Sequence, residues 1–217
     1  MTRTFANDSP LVTIAMPVYN GAKTLDRAVN SILNQTYQNW QLLILDDGSV
    51  DATVLTAEKF RDPRIKVLKD GQHKGIVIRL NEAIEMADGF YFARMDADDF
   101  SYPERLSKQI AFLEDHPSVD IVGTAIRLVN GSNHEMGYRH YPTHHAAITA
   151  TPWLKTISMA HPTWCGRSAW FRHWRYREFI KNEDQELLLR AHRSSIYANL
   201  SEVLLDYHMS ASFRKSL

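Results

Sequence analysis

The chain has 217 residues, 44% of them hydrophobic and 23% charged, which is enough for one domain with a real core and too little for two full ones. Twenty-five basic residues balance twenty-five acidic ones, so no global field recruits nucleic acid or an anionic membrane. A single cysteine, Cys165, excludes an internal disulfide and any multi-cysteine zinc site, and fits a reducing compartment.

The opening MTRTFANDSP lacks the apolar segment of a signal peptide, and no run approaches the roughly 18 apolar residues of a membrane span. The expectation is a cytoplasmic protein, with at most peripheral contact at the inner face of a membrane. Leu11–Met16 reads as a continuous apolar strand closed by Pro17. The Asn20-Gly21 turn then leads into a helix over about 22–33, whose Leu25, Ala28, Val29, Ile32 and Leu33 form a 3.6-period stripe. Trp40–Leu45 is a second strand. Residues 51–60 are expected to be helical, Ile65–Leu68 a short strand, and 76–87 a helix with Ile76, Leu80, Ala83 and Ile84 on one face. Phe90–Met95 is the fourth strand. The strands are apolar rather than alternating, so this βαβαβαβ pattern predicts an α/β fold with a mostly parallel sheet and helices on both faces. Ligands of such sheets bind beyond the carboxyl ends of the strands.

Those strand ends carry the chemistry. The first delivers Pro17, Tyr19 and Asn20, the second Asp46 and Asp47, the fourth Asp96, Asp98 and Asp99. Carboxylates this close repel and raise one another's pKa, so the last group needs a cation, a hydrogen-bonding ligand or open water. Asp96-Ala97-Asp98 puts two side chains on the same side of an extended backbone, where a hard divalent ion carrying phosphate oxygens is a natural guest. A solvated acidic turn, with Asp99 capping the next helix, is the plainer reading. A carboxylate at the second strand end suits the N3–H of a uracil or a ribose hydroxyl, and Tyr19 suits a stacked base. Lys74 and Arg79, at the start of the third helix, offer positive charge. Each feature alone also reads as a turn, a cap, a core residue or a solvated side chain. Their recurrence at three strand ends argues for one site.

The stretch MPVYNGAKTLDRAVNSILNQTYQNWQLLILDDGSVD resembles the opening of family-2 glycosyltransferases, and MDADDFSYPERL resembles their Asp-X-Asp segment. The resemblance covers nearly the whole chain. It implies the GT-A (nucleotide-diphospho-sugar transferase) fold in a single domain over 1–217, with a nucleotide-sugar half at about 10–100 and an acceptor and base half at about 101–217. It further implies Asp46 or Asp47 at the nucleoside, Asp96 at the ribose or diphosphate, and Asp98 on a divalent metal, Mn2+ or Mg2+, with Asp96 beside it. Asp99 is a neighbour assigned to the acceptor side. Inversion at the anomeric carbon and, most often, a UDP-sugar donor follow from the same resemblance.

In the second half, Pro103–Glu114 reads as a helix and Val119–Gly123 as a strand. A hairpin of Ala125–Val129 and about 135–141 follows, joined at Asn130-Gly131 and forming a small acceptor-side β element. His140, His144 and His145 match no zinc signature and read as surface histidines. Trp164–Phe179, dense in tryptophan and arginine, reads as a short helix packed on the sheet with an arginine-rich exposed side, or else as an interfacial patch. Asn182 is expected to cap a helix with Glu183, Asp184 and Gln185 in its first turn, Gln185 reaching back as a capping box. Sugar transfer to a hydroxyl needs a base, and by the resemblance Asp184 matches it, with Glu183 the main competitor. His161-Pro162-Thr163 and Tyr176-Arg177-Glu178-Phe179 match segments lining the acceptor side, which places His161 and Thr163 near a glycan or lipid-linked acceptor.

Leu204–Met209 reads as the last strand, before a polar, basic tail. His208 is a candidate third metal ligand. Relatives place that histidine two residues after a Tyr-Arg pair, whereas here Tyr207 is followed directly by His208 and Ser210 falls at the usual place. The chain is also short for the family, which leaves room for a further C-terminal acceptor or membrane element. The family's commonest setting is polysaccharide or lipopolysaccharide assembly. Two other classes share parts of the pattern. A sugar nucleotidyltransferase would need a glycine-rich loop where Val18-Tyr19-Asn20 stands, and a non-catalytic nucleotide-sugar-binding module would make Asp184 a mere helix-start acid.

Overall fold

The computed structural model describes residues 9–152, 156–178 and 182–209. Four parallel strands form its first half: β1 (Val12–Val18), β2 (Trp40–Asp46), β3 (Ile65–Leu68) and β4 (Tyr91–Arg94). Between them lie α1 (Leu25–Leu33), α2 (Thr53–Ala57) and α3 (Ile76–Glu85). The first strand does not stop at Pro17. Ala15 turns its carbonyl to β4, accepting from Met95 N, so Pro17 turns its donor-less nitrogen to the same side, past the last β1–β4 pair at Ala15 and Arg94. Pairing with β2 therefore continues to Val18 opposite Asp46.

The second half adds β5 (Phe100–Ser101), α4 (Arg105–Asp115), β6 (Ile121–Val129), β7 (Glu135–Arg139), α5 (His145–Ile148), β8 (Cys165–Arg167), α6 (Ser168–Trp174), α7 (Glu183–Ala191) and β9 (Tyr197–His208). One sheet runs β3-β2-β1-β4-β8-β6-β9-β5, with β7 pairing on β6. Strand β8 is antiparallel to both β4 and β6, whereas β9 runs parallel to β6. The two strands expected at 119–123 and 125–129 are one, β6, because its ladder with β9 absorbs register shifts around Ala125 instead of breaking. The last strand is longer than expected and begins at Tyr197.

Helices cover both faces, and the strand alternation shows which. Val12, Ile14, Met16, Leu42 and Ile44 pack with Leu25, Val29 and Ile32 of α1 and Leu106, Ile110 and Leu113 of α4. Ala15, Leu43 and Leu45 face the other way, onto Leu80 and Ile84 of α3, Phe171 of α6 and Leu187 of α7. Trp170 and Phe171 are buried, and Trp170 Nε1 donates to Ser195 Oγ at 2.8 Å, so this aromatic pair is core rather than an interfacial patch.

Two local expectations fail. Asn182 takes a left-handed conformation (φ 66°) and makes no side-chain cap, while Gln185 bonds the main chain of Ile157 instead, accepting from its N at 2.8 Å. His145 is half-buried, its Nδ1 accepting from Tyr197 N at 3.1 Å; His140 and His144 are exposed as expected. Phe179 and the tail from Ser210 to Leu217 lie outside the described residues.

Candidate active site

The second strand end is built first. Asp47 Oδ1 accepts from Lys74 N at 2.8 Å, Gly75 N at 3.1 Å and Arg79 Nε at 2.9 Å, and its Oδ2 from Gly75 N at 3.0 Å, with His73 Nδ1 at 2.9 Å. Every oxygen of this buried carboxylate is used. Arg79 is itself buried, and its remaining donors reach Asp70 Oδ1 at 2.7 Å and Glu82 Oε2 at 2.9 Å. Lys74 Nζ is tied to the same two acids. The expected cationic help from Lys74 and Arg79 is therefore committed within the protein, where it fixes the 70–75 loop. Gly48 is required here: its φ is 74°, and a Cβ would lie 2.8 Å from the carbonyl carbon of Gln72. Asp46 is buried and accepts from Ser49 N at 3.2 Å, shaping the turn. Asn20, left-handed at φ 52°, joins this turn to the first strand end by accepting from Val50 N and donating from its own N to Ser49 Oγ.

The fourth strand end is different. Asp96 is gripped by Arg94, whose buried guanidinium meets it at 2.8 and 2.5 Å. One oxygen each of Asp96, Asp98 and Asp99 lies within 4.8 Å of the others. Burial, and then the Asp96 charge, hold the Asp98 carboxyl above its usual range, and the buried Asp99 is raised further by the same causes with Asp98 added. The β5–β9 pairing brings the end of β9 alongside, where His208 N donates to Asp99 Oδ1 at 2.9 Å and His208 Nδ1 stands 3.7 Å from Asp98 Oδ2. Asp99 Oδ2 and His208 Nδ1 are both buried without a hydrogen-bond partner among the described residues. Two orphaned atoms with lone pairs beside crowded carboxylates fit a divalent ion. Asp99 thus belongs with this cluster and not with the acceptor side, because it is only 1% exposed.

Two clefts flank the tip of β1. A cleft of about 500 Å³ is bordered by Pro17, Tyr19, Asn20, Lys23, Asp96, Asp98 and His208. The other, about 250 Å³, shares Pro17, Tyr19 and Asp96 but adds Asp47, His73 and Arg79. Tyr19 is half exposed, its ring 4.3 Å from that of His73. Lys23, His73 and Arg94 had no motif to mark them. Lys23 is the lysine of the larger cleft and forms no ion pair among the described residues.

The acids at 183 and 184 open α7 on the face that α3 and α6 share. Glu183 Oε1 lies 4.0 Å from His161 Nδ1, and Asp184 Oδ2 has Gln185 Nε2 at 3.4 Å. His161 is buried, with Nε2 2.7 Å from Tyr176 Oη. Thr163 is fully buried, its Oγ1 donating to Ala160 O at 2.7 Å and accepting from Thr124 N. It is a strut of the 161–163 turn and cannot reach an acceptor.

The sequence profile of glycosyl transferase family 2 matches residues 13–177. The chain belongs to glycosyl transferase family 2. It is 31% identical over 208 residues to the O-antigen biosynthesis glycosyltransferase WbnJ of Escherichia coli, covering 92% of this chain and 80% of WbnJ. With the E. coli UDP-Glc:alpha-D-GlcNAc-diphosphoundecaprenol beta-1,3-glucosyltransferase WfgD it shares 40% identity over 106 residues, 49% of this chain and 42% of WfgD. The family-2 chain thus spans less than half of WfgD. Residues 1–349 of S. aureus TarS, in complex with UDP-GlcNAc, superpose with a TM-score of 0.75 at 23% identity, over 92% of this chain and 58% of that one. The fold is GT-A.

Proposed function

We propose that this chain transfers a sugar from a nucleoside-diphosphate sugar, UDP-linked by preference, to a hydroxyl of a glycan or lipid-linked acceptor, with inversion at the anomeric carbon. One observation carries the reading: the Asp99 and His208 atoms left unpartnered beside Asp98, at the edge of a cleft that also holds Tyr19, Lys23 and Asp96. WfgD and the TarS complex support a UDP-sugar, and WfgD a lipid-diphosphate acceptor.

Tyr19 and His73 offer an aromatic face to the base, on a wall that Asp47 and Arg79 hold rigid. Asp96, oriented by Arg94, accepts from a ribose hydroxyl. Asp98 and His208 would hold a divalent ion, with Asp99 docking the backbone of His208. Such an ion supplies positive charge that offsets the leaving diphosphate. Lys23 adds a cation on the same cleft. Asp184 takes the proton of the acceptor hydroxyl as its oxygen bonds to the anomeric carbon and the bond to the diphosphate breaks. A single displacement inverts the centre, and no covalent enzyme intermediate is required. Among the described residues no helix is long and apolar enough to cross a membrane.

Calorimetric titration with UDP, with and without Mn2+, tests the donor half of this reading. Metal-dependent binding that disappears in Asp98→Ala is expected. No binding of UDP, GDP or dTDP under any metal condition would sink it. Asp184→Asn should abolish turnover while donor affinity persists; unchanged turnover would remove Asp184 from the role of base.

A further inference from the structure

Behind the acid pair lies a buried polar chain that the transfer step does not use. Tyr176 is 3% exposed, and its backbone is clamped on α3 by Asn81, which donates to Tyr176 O at 2.9 Å and accepts from Tyr176 N at 3.0 Å. Its hydroxyl meets His161 Nε2 at 2.7 Å. A buried phenol needs an acceptor for its proton, and this imidazole nitrogen is its hydrogen-bond partner among the described residues. The hydroxyl therefore donates, Nε2 accepts, and the ring proton is left on Nδ1. That nitrogen faces Glu183 Oε1 at 4.0 Å. Trp164 packs against the imidazole with ring centroids 4.5 Å apart, so the ring is not free to flip.

We propose that His161, fixed by Tyr176 in the tautomer that carries its proton on Nδ1, is a positioning residue that orients the Glu183 carboxylate in the transfer reaction. The separation is longer than a hydrogen bond, and rotation of the Glu183 side chain closes it. Burial, followed by the positive charge of Arg94, keeps His161 neutral, so the dipole rather than a full charge holds the acid. Glu183 is then a fixed acceptor for a sugar hydroxyl. Asp184, whose Oδ2 meets Gln185 Nε2 at 3.4 Å, stays free to take the proton. The inference rests on the proposed transferase reading for what Glu183 acts upon, but not for the tautomer.

Two measurements on the full chain test it. Nitrogen-15 NMR of labelled histidine, with His161 assigned by its loss in His161→Gln, is expected to show the Nδ1–H tautomer in the wild type and a loss of that preference in Tyr176→Phe. An Nε2–H tautomer in the wild type overturns the proposal. Kinetics with the UDP-sugar that turns over form the second arm. His161→Gln, whose amide replaces Nε2, should lower kcat by about 10- to 100-fold, while His161→Asn, whose amide replaces Nδ1–H, should stay within about threefold. In a Glu183→Gln background, His161→Gln should cost less than about twofold, since coupled residues do not add. An equal loss in both backgrounds marks His161 as merely structural and overturns the proposal. Should His161→Gln fail to fold, Tyr176→Phe in the two backgrounds gives the same comparison. If no nucleotide sugar turns over, the transferase reading fails, and the tautomer measurement decides this proposal alone.

Discussion

Two aspartate clusters stand at the ends of β2 and β4, on either side of β1, and are opposite in their electrostatics. Asp47, after β2, is saturated: two backbone amides, a guanidinium and an imidazole meet its two oxygens. Asp98 and Asp99, after β4, are starved: burial and mutual repulsion raise them, and a carboxylate oxygen and an imidazole nitrogen lack partners among the described residues. The same residue type at the same edge of one sheet is in one case a finished clasp and in the other an incomplete site. What separates them is the following segment. After β2 the carboxylate meets the 70–75 loop and Arg79 of α3, whose backbone amides and guanidinium complete the clasp. After β4 the chain turns directly into β5 and meets β9, which contributes one backbone N–H to Asp99 and an unpartnered imidazole nitrogen beside Asp98.

The largest expected effect tests the saturated side. Asp47→Ala leaves the buried Arg79 Nε and the half-buried amides of 74 and 75 without their acceptor, and should cost about 3–5 kcal/mol of stability in urea unfolding. A loss below 1 kcal/mol would break the contrast. On the starved side, Asp98→Ala should leave the metal-free protein as stable as the wild type or more so, because it relieves repulsion. It should also weaken Mn2+-dependent UDP binding at least about 100-fold, or about 2.7 kcal/mol. Mn2+ sharpens the same point in a melt: at 100 times its Kd it should add about 2.7 kcal/mol to the wild type and nothing to Asp98→Ala. A smaller effect belongs to Lys23. If it meets the diphosphate from the open cleft, Lys23→Ala should weaken UDP about tenfold and leave uridine unchanged, since a solvated cation contributes modestly.

How much of this was legible in the sequence follows from the range of the interactions. The parallel sheet, its strands and Asp96, Asp98 and Asp99 are local patterns, and they could be read because apolar runs and strand-end acids are contiguous. The saturation of Asp47 was not legible: its donors come from Lys74, Gly75 and Arg79, and backbone amides leave no mark in a sequence. For that reason Lys74 and Arg79 read as free positive charge for the site. His208 was named in spite of its displaced spacing, and the structure brings it to Asp98 because the long β9 ladder with β6, not local spacing, sets its register. Thr163 failed as an acceptor residue because its hydroxyl is consumed within its own turn and by β6. The capping box failed because Gln185 has a tertiary partner in Ile157.

His161 offers an intermediate case between the two clusters, a buried titratable group satisfied only while neutral, and its expected effect is no larger than that of Lys23. Burial and the charge of Arg94 lower its pKa well below the usual 6.5. In the unfolded chain it takes up a proton near that value, so below it the unfolded state binds more protons than the native state. Stability is then complete above about pH 6.5 and declines as the pH falls toward the folded pKa, by up to about 1.4 kcal/mol per pH unit. Other groups titrate in the same range, His145 among them, so the quantity to measure is the difference between the wild type and His161→Asn. Urea unfolding at pH 7.5 and 5.5 should show the wild type losing about 1.4 kcal/mol more than the variant. Equal losses would mean that His161 protonates inside the fold at no cost. Glu183 would then be paired with an imidazolium ion, and the site would hold one satisfied charge pair where the present geometry places a neutral donor.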